Sequence, residues 1–179
     1  MEYYLGLIPS QNSFEKIYAI RENIIKKYKI DDYRKKPIFH VTIAYLNSRN
    51  INDLINLLVK YDLNKLYLSK PIKLNIMRTK WWKNEKIVFT LDNTPLIAMV
   101  INIEEITKKY NMNQAYRQQI KQFSSDDLED IGDHLKLIRN INECTWDEIK
   151  SSRILKTIKH IEFDKFCIFT ADYSECIIL

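Results

Sequence analysis

The sequence predicts an α+β fold, with helices packed outside antiparallel-rich, curved sheets. Three observations carry this expectation. Short runs of β-branched and aromatic residues alternate with segments of helical spacing. The alternation never becomes a long regular series of strand–helix–strand units, so a parallel doubly wound sheet is not expected. No Gly-, Pro- or Ser-rich linker interrupts the 179 residues, so residues 1–179 read as a single domain of two lobes.

The elements follow in order. Tyr3 to Ile8 is aromatic and aliphatic, ends at Pro9, and reads as a strand. Asn12, with Glu15 three residues on, has the form of a capping box. Phe14, Ile17, Tyr18, Arg21, Ile24, Ile25 and Tyr28, mostly apolar, then follow the spacing of one face of an amphipathic helix. The segment IFHVTIAYL at 38–46 reads as a strand, and Ile51, Leu54, Ile55, Leu58 and Tyr61 mark a second helix. LYLSKPIKLNIMR, a turn around KWWKNEK and IVFTL form a predicted hairpin over 66–91. Thr94-Pro95 opens a helix to about Tyr110, since proline is tolerated in a first turn. Residues 111–133 are polar, end in an acidic cluster and read as an insertion. HLKLIR at 134–139 is a short strand. Thr145 with Glu148 forms a second capping box before a helix to about Lys159. Two strands, EFDKFCIFTA and SECIIL, close the chain around a turn at Asp172-Tyr173.

Composition removes several function classes. With two glycines in the whole chain, a phosphate-cradling GxGxxG or Walker-type loop cannot be built. The three cysteines, Cys144, Cys167 and Cys176, contain no CxxC, which argues against a disulfide framework or a zinc site. No apolar run reaches the length of about 18 residues that a membrane span needs, and MEYYLGLIPS lacks the basic start of a secretory signal. A reduced, cytoplasmic protein is the expectation, and no metal or other cofactor is implied. The 28 basic and 23 acidic residues give a net charge of +5, spread along the chain and compatible with a polyanionic partner.

The chemistry-bearing residues are two histidines. In a strand, residues i and i+2 share a face, so His40 and Thr42 project together while Phe39, Val41 and Ile43 point the other way. His134 and Lys136 repeat that arrangement, with Leu135 and Leu137 behind them. The second histidine follows the first by 134 − 40 = 94 residues, in the matching strand of the second half. Two such strands facing one another would bracket a groove between the lobes. The third histidine, His160, is read as a cap at a helix C-terminus.

These motifs, PIFHVTIAYL and DHLKLIR, in their setting of strands and helices, resemble the two-histidine (2H) phosphoesterase superfamily. That group includes RNA 2′,3′-cyclic phosphodiesterases, 2′-5′ RNA ligase-like proteins and viral 2′-5′ phosphodiesterases. Its mark is two copies of histidine, any residue, then Thr or Ser. The first copy matches; the second departs from it by carrying Lys136 at the hydroxyl position. The resemblance implies a bilobal fold, with two sheets flanking a central cleft.

It also implies His40 and His134 as acid and base in phosphodiester hydrolysis without a metal, because imidazole exchanges protons near neutral pH. Thr42 and Lys136 would stabilise charge on the non-bridging oxygens. A cation two residues from His134 opposes further positive charge there, which assigns His134 as general base and His40 as general acid. The implied partners are RNA ends or a small nucleotide or oligonucleotide, acted on by a monomer. Where such enzymes are viral they destroy nucleotide signals, and the abundance of Ile, Asn and Lys fits an AT-rich genome of that kind.

Three further residues are candidates for substrate binding. Trp81 and Trp82, between Lys80 and Lys83, can stack a base and neutralise a phosphate, although strand neighbours face opposite ways and one tryptophan is expected in the core. Tyr4, beside Tyr3, can put a phenol into the cleft. Arg139 shares the parity of Leu135 and Leu137 and falls on the other face unless the strand has ended. Asp126, Asp127, Glu129 and Asp130 read as a solvated loop. The competing readings are a nucleotide- or RNA-binding module that has lost turnover, which Lys136 keeps open, and an interaction domain with incidental histidines.

Overall fold

The computed structural model describes residues 2–32, 37–112, 134–170 and 175–179. Its first half runs β1 (Glu2–Pro9), α1 (Gln11–Tyr28), β2 (Val41–Asn47), α2 (Ile51–Lys60), α3 (Leu63–Tyr67) and β3 (Ile72–Trp82). The second half runs β4 (Lys86–Leu91), a 3-10 turn at Thr94–Leu96, α4 (Ile97–Lys109), β5 (His134–Ile138), α5 (Glu143–Ser151), a 3-10 turn at Ile154–Lys156 and β6 (His160–Thr170). A short β7 (Cys176–Ile178) follows. The fold is α+β, with a central antiparallel sheet flanked by helices.

All pairings are antiparallel, and the strand order is β2-β1-β6-β3-β4-β5, with β7 added to β6. The order reads the same when β1, β2 and β3 are exchanged with β4, β5 and β6. The third strand of each half pairs with the first strand of the other. The chain is therefore a structural duplication with its final strands swapped, which no residue identity in the sequence reveals. Where two sheets are expected, the strands form one hydrogen-bonded path. β3 joins the halves, pairing with β6 over Ile72 to Asn75 and with β4 over Ile76 to Trp82. The edge strands β2 and β5 come within 8 Å of one another, Cα to Cα, so the sheet curves back on itself.

One face of the sheet is apolar because its alternate residues are. Leu5, Leu7, Val41, Ile43, Leu74, Phe89, Leu135 and Leu137 are all fully buried. Ile17, Ile20 and Ile24 of α1 are buried with them. The true cap of α1 is Ser10, whose hydroxyl accepts from Ser13 N, in place of Asn12. Ser10 N donates to Glu162 O at 2.7 Å and Glu162 N to Ser13 Oγ at 3.0 Å, tying the helix start to β6. Further along the same helix, Arg21 is 2% exposed and pairs with Asp32 at 3.1 Å.

Several boundaries differ from expectation. Leu66 and Tyr67 end α3, capped by Asp62, where a strand is expected from Leu66. Trp81 and Trp82 belong to β3 and not to a turn. The turn is the three residues Lys83, Asn84 and Glu85 between the paired Trp82 and Lys86; Lys83 and Asn84 are both at positive φ (52° and 56°), and Glu85 N donates to Trp82 O at 3.3 Å. α5 is capped by Asn142, whose side chain accepts from Thr145 N at 2.8 Å, and stops at Ser151. His160 consequently opens β6, opposite Asn75, and caps no helix. The expected insertion beyond Met112, its acidic run and the Asp172-Tyr173 turn lie outside the described residues.

Candidate functional site

Directly opposed residues of an antiparallel pair share a face, so the register places the candidate side chains. On the first half, Gly6 stands opposite both Thr42 and Cys167, and Tyr4 stands opposite both Tyr45 and Phe169. His40 immediately precedes β2 and packs on Phe169, ring centroids 4.4 Å apart. Its Nδ1 lies 3.1 Å from Ile38 O. A carbonyl can only accept, so Nδ1 carries the proton and Nε2 is the nitrogen that exchanges one. Tyr4 meets Tyr45 edge-on at 5.0 Å; burial, and after it the Glu2 carboxylate, hold its phenol above the ordinary value, so it is a proton-bearing donor at neutral pH.

On the second half, Thr90 stands opposite both Arg78 and His134, and Val88 opposite both Lys80 and Lys136. Trp82 stands opposite Lys86, and its ring lies 4.6 Å from that of His134. Lys83 Nζ and Lys86 Nζ lie 4.5 Å and 5.5 Å from the Trp82 centroid. Arg78, Lys80, Trp82, Lys86, His134 and Lys136 therefore share one sheet face, opposite Phe89, Leu135 and Leu137. Glu85 brings a carboxylate to this region. The hydrogen bond from Lys86 chiefly, then the charges of Lys86, Arg139 and Lys136, hold it below the usual carboxylate range.

The two rows match under the duplication. His40 corresponds to His134, Thr42 to Lys136, Gly6 to Val88, Tyr4 to Lys86 and Phe169 to Trp82. Each histidine thus has an aromatic ring beside it at the same structural position. The halves differ in charge: the second is strongly basic, while the first presents a hydroxyl and a phenol, with the thiol of Cys167 fully buried beneath them.

Of the two tryptophans, Trp82 faces His134. Trp81 faces away and donates from Nε1 to Ile141 O at 2.9 Å, so its indole is held by the protein itself. Arg139 lies just beyond the end of β5, and a bulge opposite Ile87-Val88 shifts the parity there; it comes near enough to Glu85 to act on its carboxyl. Sequence reasoning misses Phe169, Gly6 and Arg78, and takes Lys80 only as a neighbour of the tryptophans. Gly6 was detectable as a glycine inside an apolar strand, which marks a close approach. A Cβ at Gly6 would stand 2.9 Å from Phe169 Cε2 and 3.0 Å from Val41 O, and its absence lets the Phe169 ring lie across β1.

Among the described residues, no three His, Cys, Asp or Glu side chains gather as metal ligands, and no helix is long and apolar enough to cross a membrane. No family model matches the sequence. The chain is 29% identical over 119 residues, 66% of its length, to a glutamate–tRNA ligase of Borreliella burgdorferi, of which it spans only 21%. In structure it is similar to the crystal structure of TT0787 of Thermus thermophilus. That likeness has a TM-score of 0.53 at 12% identity and covers 100% of this chain and 95% of the other. It shows a shared α+β fold.

Proposed function

We propose that this protein is a metal-independent phosphodiesterase of the two-histidine kind, hydrolysing a 2′-5′ or cyclic phosphodiester in RNA or in a nucleotide or oligonucleotide messenger. The observation that carries the reading is the matched pair of His40 on Phe169 and His134 on Trp82, in corresponding strands of a duplicated fold. The approach of β2 to β5 supports a cleft between two lobes with one histidine on each side. An α+β antiparallel architecture shared over the whole chain with TT0787 is consistent with a phosphoesterase-like layout.

In the proposed reaction, neutral His134 takes a proton from water as the water oxygen bonds to phosphorus. The bond from phosphorus to the leaving oxygen breaks, and protonated His40 delivers its proton to that oxygen. A 2′,3′-cyclic phosphate gives a phosphomonoester and a free hydroxyl; a 2′-5′ linkage gives two shorter products. Thr42 Oγ1 and Lys136 Nζ supply a neutral donor and a cation for the non-bridging oxygens, where charge builds in the transition state. Tyr4 and Trp82 supply binding surface beside them.

The test is turnover of an RNA 2′,3′-cyclic phosphate and a 2′-5′-linked dinucleotide in the presence of EDTA. Hydrolysis of either that falls by at least about a hundredfold in both His40→Ala and His134→Ala supports the reading. No hydrolysis of either, with nucleotide binding retained and dependent on Lys136, replaces it with a binding module that does not turn over.

A further inference from the structure

A groove of about 590 Å³ opens where β3 passes the end of α5 and the 3-10 turn that follows it. Trp146, Leu155 and Ile158 are buried in its floor. Its rim carries Arg78, Lys150, Lys156 and Lys159, and among the described residues lining it there is neither Asp nor Glu. The three lysines come from three successive pieces of chain: the last turn of α5, the 3-10 turn and the segment leading into β6. All three are exposed, and they reach one concavity because α5 stops at Ser151 and the chain turns sharply back toward the sheet.

Scattered surface lysines normally alternate with carboxylates; three exposed lysines around one apolar-floored hollow, with no carboxylate among the described residues lining it, form a site for several linked negative charges. We propose that this groove holds the backbone phosphates of a single-stranded oligonucleotide. Two features favour a nucleic-acid strand over a compact polyphosphate. Met77 on the rim is 68% exposed and offers apolar surface to a base. Arg78 belongs both to this rim and to the row that runs through Thr90 to His134, so the groove continues onto the basic sheet face. A strand whose terminal phosphodiester sits at the histidines has its next phosphates directed along that track. This last step rests on the proposed function; the groove's affinity for the strand does not.

The experiment is fluorescence anisotropy with labelled single-stranded RNA of two and of ten nucleotides, in a His40→Ala/His134→Ala background so that nothing is cleaved. The longer strand is expected to bind at least about tenfold more tightly, with a steep salt dependence. Combined Lys150→Ala, Lys156→Ala and Lys159→Ala should abolish that advantage. Those changes should lower the slope of log affinity against log salt by about 2, at about 0.7 per phosphate contact. The triple Lys→Arg protein should retain binding, which separates lost charge from lost folding. With native histidines, the triple alanine protein should hydrolyse a mononucleotide cyclic phosphate at the unaltered rate.

Equal affinity of the triple alanine protein for the longer strand, with an unchanged salt slope, overturns the proposal. So does displacement by inorganic tripolyphosphate as effective as by the longer strand, which would assign the groove to a compact polyanion. Should the native protein lack turnover while the groove variant loses strand binding, the groove stands and the hydrolytic reading falls.

Discussion

Phe169 and Trp82 occupy the same position in the two halves of the sheet, and each has a histidine ring against it. Phe169 stands opposite Tyr4 and lies 4.4 Å from His40; Trp82 stands opposite Lys86 and lies 4.6 Å from His134. The surroundings divide their roles. Phe169 is fully buried and acts as a fixed wall that orients His40. Trp82 is half-buried beneath two lysine ammonium groups, where a base and its phosphate would find stacking surface and positive charge together.

The two neighbouring tryptophans should therefore separate cleanly. Trp82→Ala is expected to raise KM for a 2′,3′-cyclic nucleotide by roughly tenfold or more, since stacking a base contributes about 1–3 kcal/mol. Trp81→Phe removes the hydrogen bond to Ile141 O and should cost about 1 kcal/mol of stability with KM unchanged. Steady-state kinetics alongside urea unfolding reads both, and a KM effect confined to Trp81→Phe would reverse the face assignment.

Gly6→Ala tests the link from β1 to His40. The new methyl group would meet Phe169 Cε2 at 2.9 Å and Val41 O at 3.0 Å. The backbone oxygen cannot retreat, and the phenyl ring can move only by disturbing its packing on His40. Overpacking of this kind costs about 1–3 kcal/mol. The turnover number should fall while KM stays nearly constant, because His40 is displaced and the basic binding face is not. Adding Phe169→Leu to Gly6→Ala should recover part of the stability, a coupling that a double-mutant cycle measures.

Arg21 and Asp32 form a buried ion pair at the exit of α1, with side-chain exposures of 2% and 0%. Asp32 precedes His40 by 40 − 32 = 8 residues, so the pair anchors the chain that leads to the first motif. Asp32→Asn leaves the guanidinium with only the half-exposed Glu22, 2.6 Å from Nη1, as counter-charge, so the cost should stay below the roughly 3–5 kcal/mol of a wholly unpaired buried charge. Arg21→Met combined with Asp32→Leu should cost less than either single change, because two desolvated charges are removed together. Chemical denaturation of the four proteins of the cycle decides it.

The sequence carried the α+β class, most strand positions and the shared face of His134 with Lys136, because period-two alternation is local; His40, read as part of a strand, falls just ahead of β2. It carried the duplication only as a pattern of elements around the two histidines and not the swap of the final strands, since the two halves agree in topology and bulge position and not in side chains: Gly6 corresponds to Val88, Tyr4 to Lys86, Thr42 to Lys136. Phe169 escaped notice for the same reason. Its partner His40 lies 169 − 40 = 129 residues away, and only the register of β6 on β1 brings the two together. The caps misled where a nearer competitor existed: Ser10 and Asn142 hold the helix starts that Asn12 and Thr145 advertise. The hairpin turn was legible within KWWKNEK but read too wide, because neither Lys83 nor Asn84 is a glycine to mark the two left-handed positions.

The join between β4 and α4 gives a pH signature of defined sign. Asp92 accepts hydrogen bonds from Thr94 Oγ1 at 2.6 Å and Thr94 N at 3.1 Å, and these hold its carboxyl below the usual value. A carboxyl whose pKa is lower folded than unfolded contributes stability above the unfolded value, about 4, and loses that contribution as pH falls through the folded value. Glu85, lowered chiefly by its hydrogen bond with Lys86, acts in the same direction on the other end of β4. The urea midpoint should therefore drop as pH is taken from about 5 to 2. Asp92→Asn should flatten that drop, since an asparagine oxygen still accepts from Thr94 but no longer titrates, and Glu85→Gln should flatten it further. An unchanged pH profile in the double variant would mean that neither carboxyl is favoured by folding and that the acid sensitivity arises elsewhere in the chain.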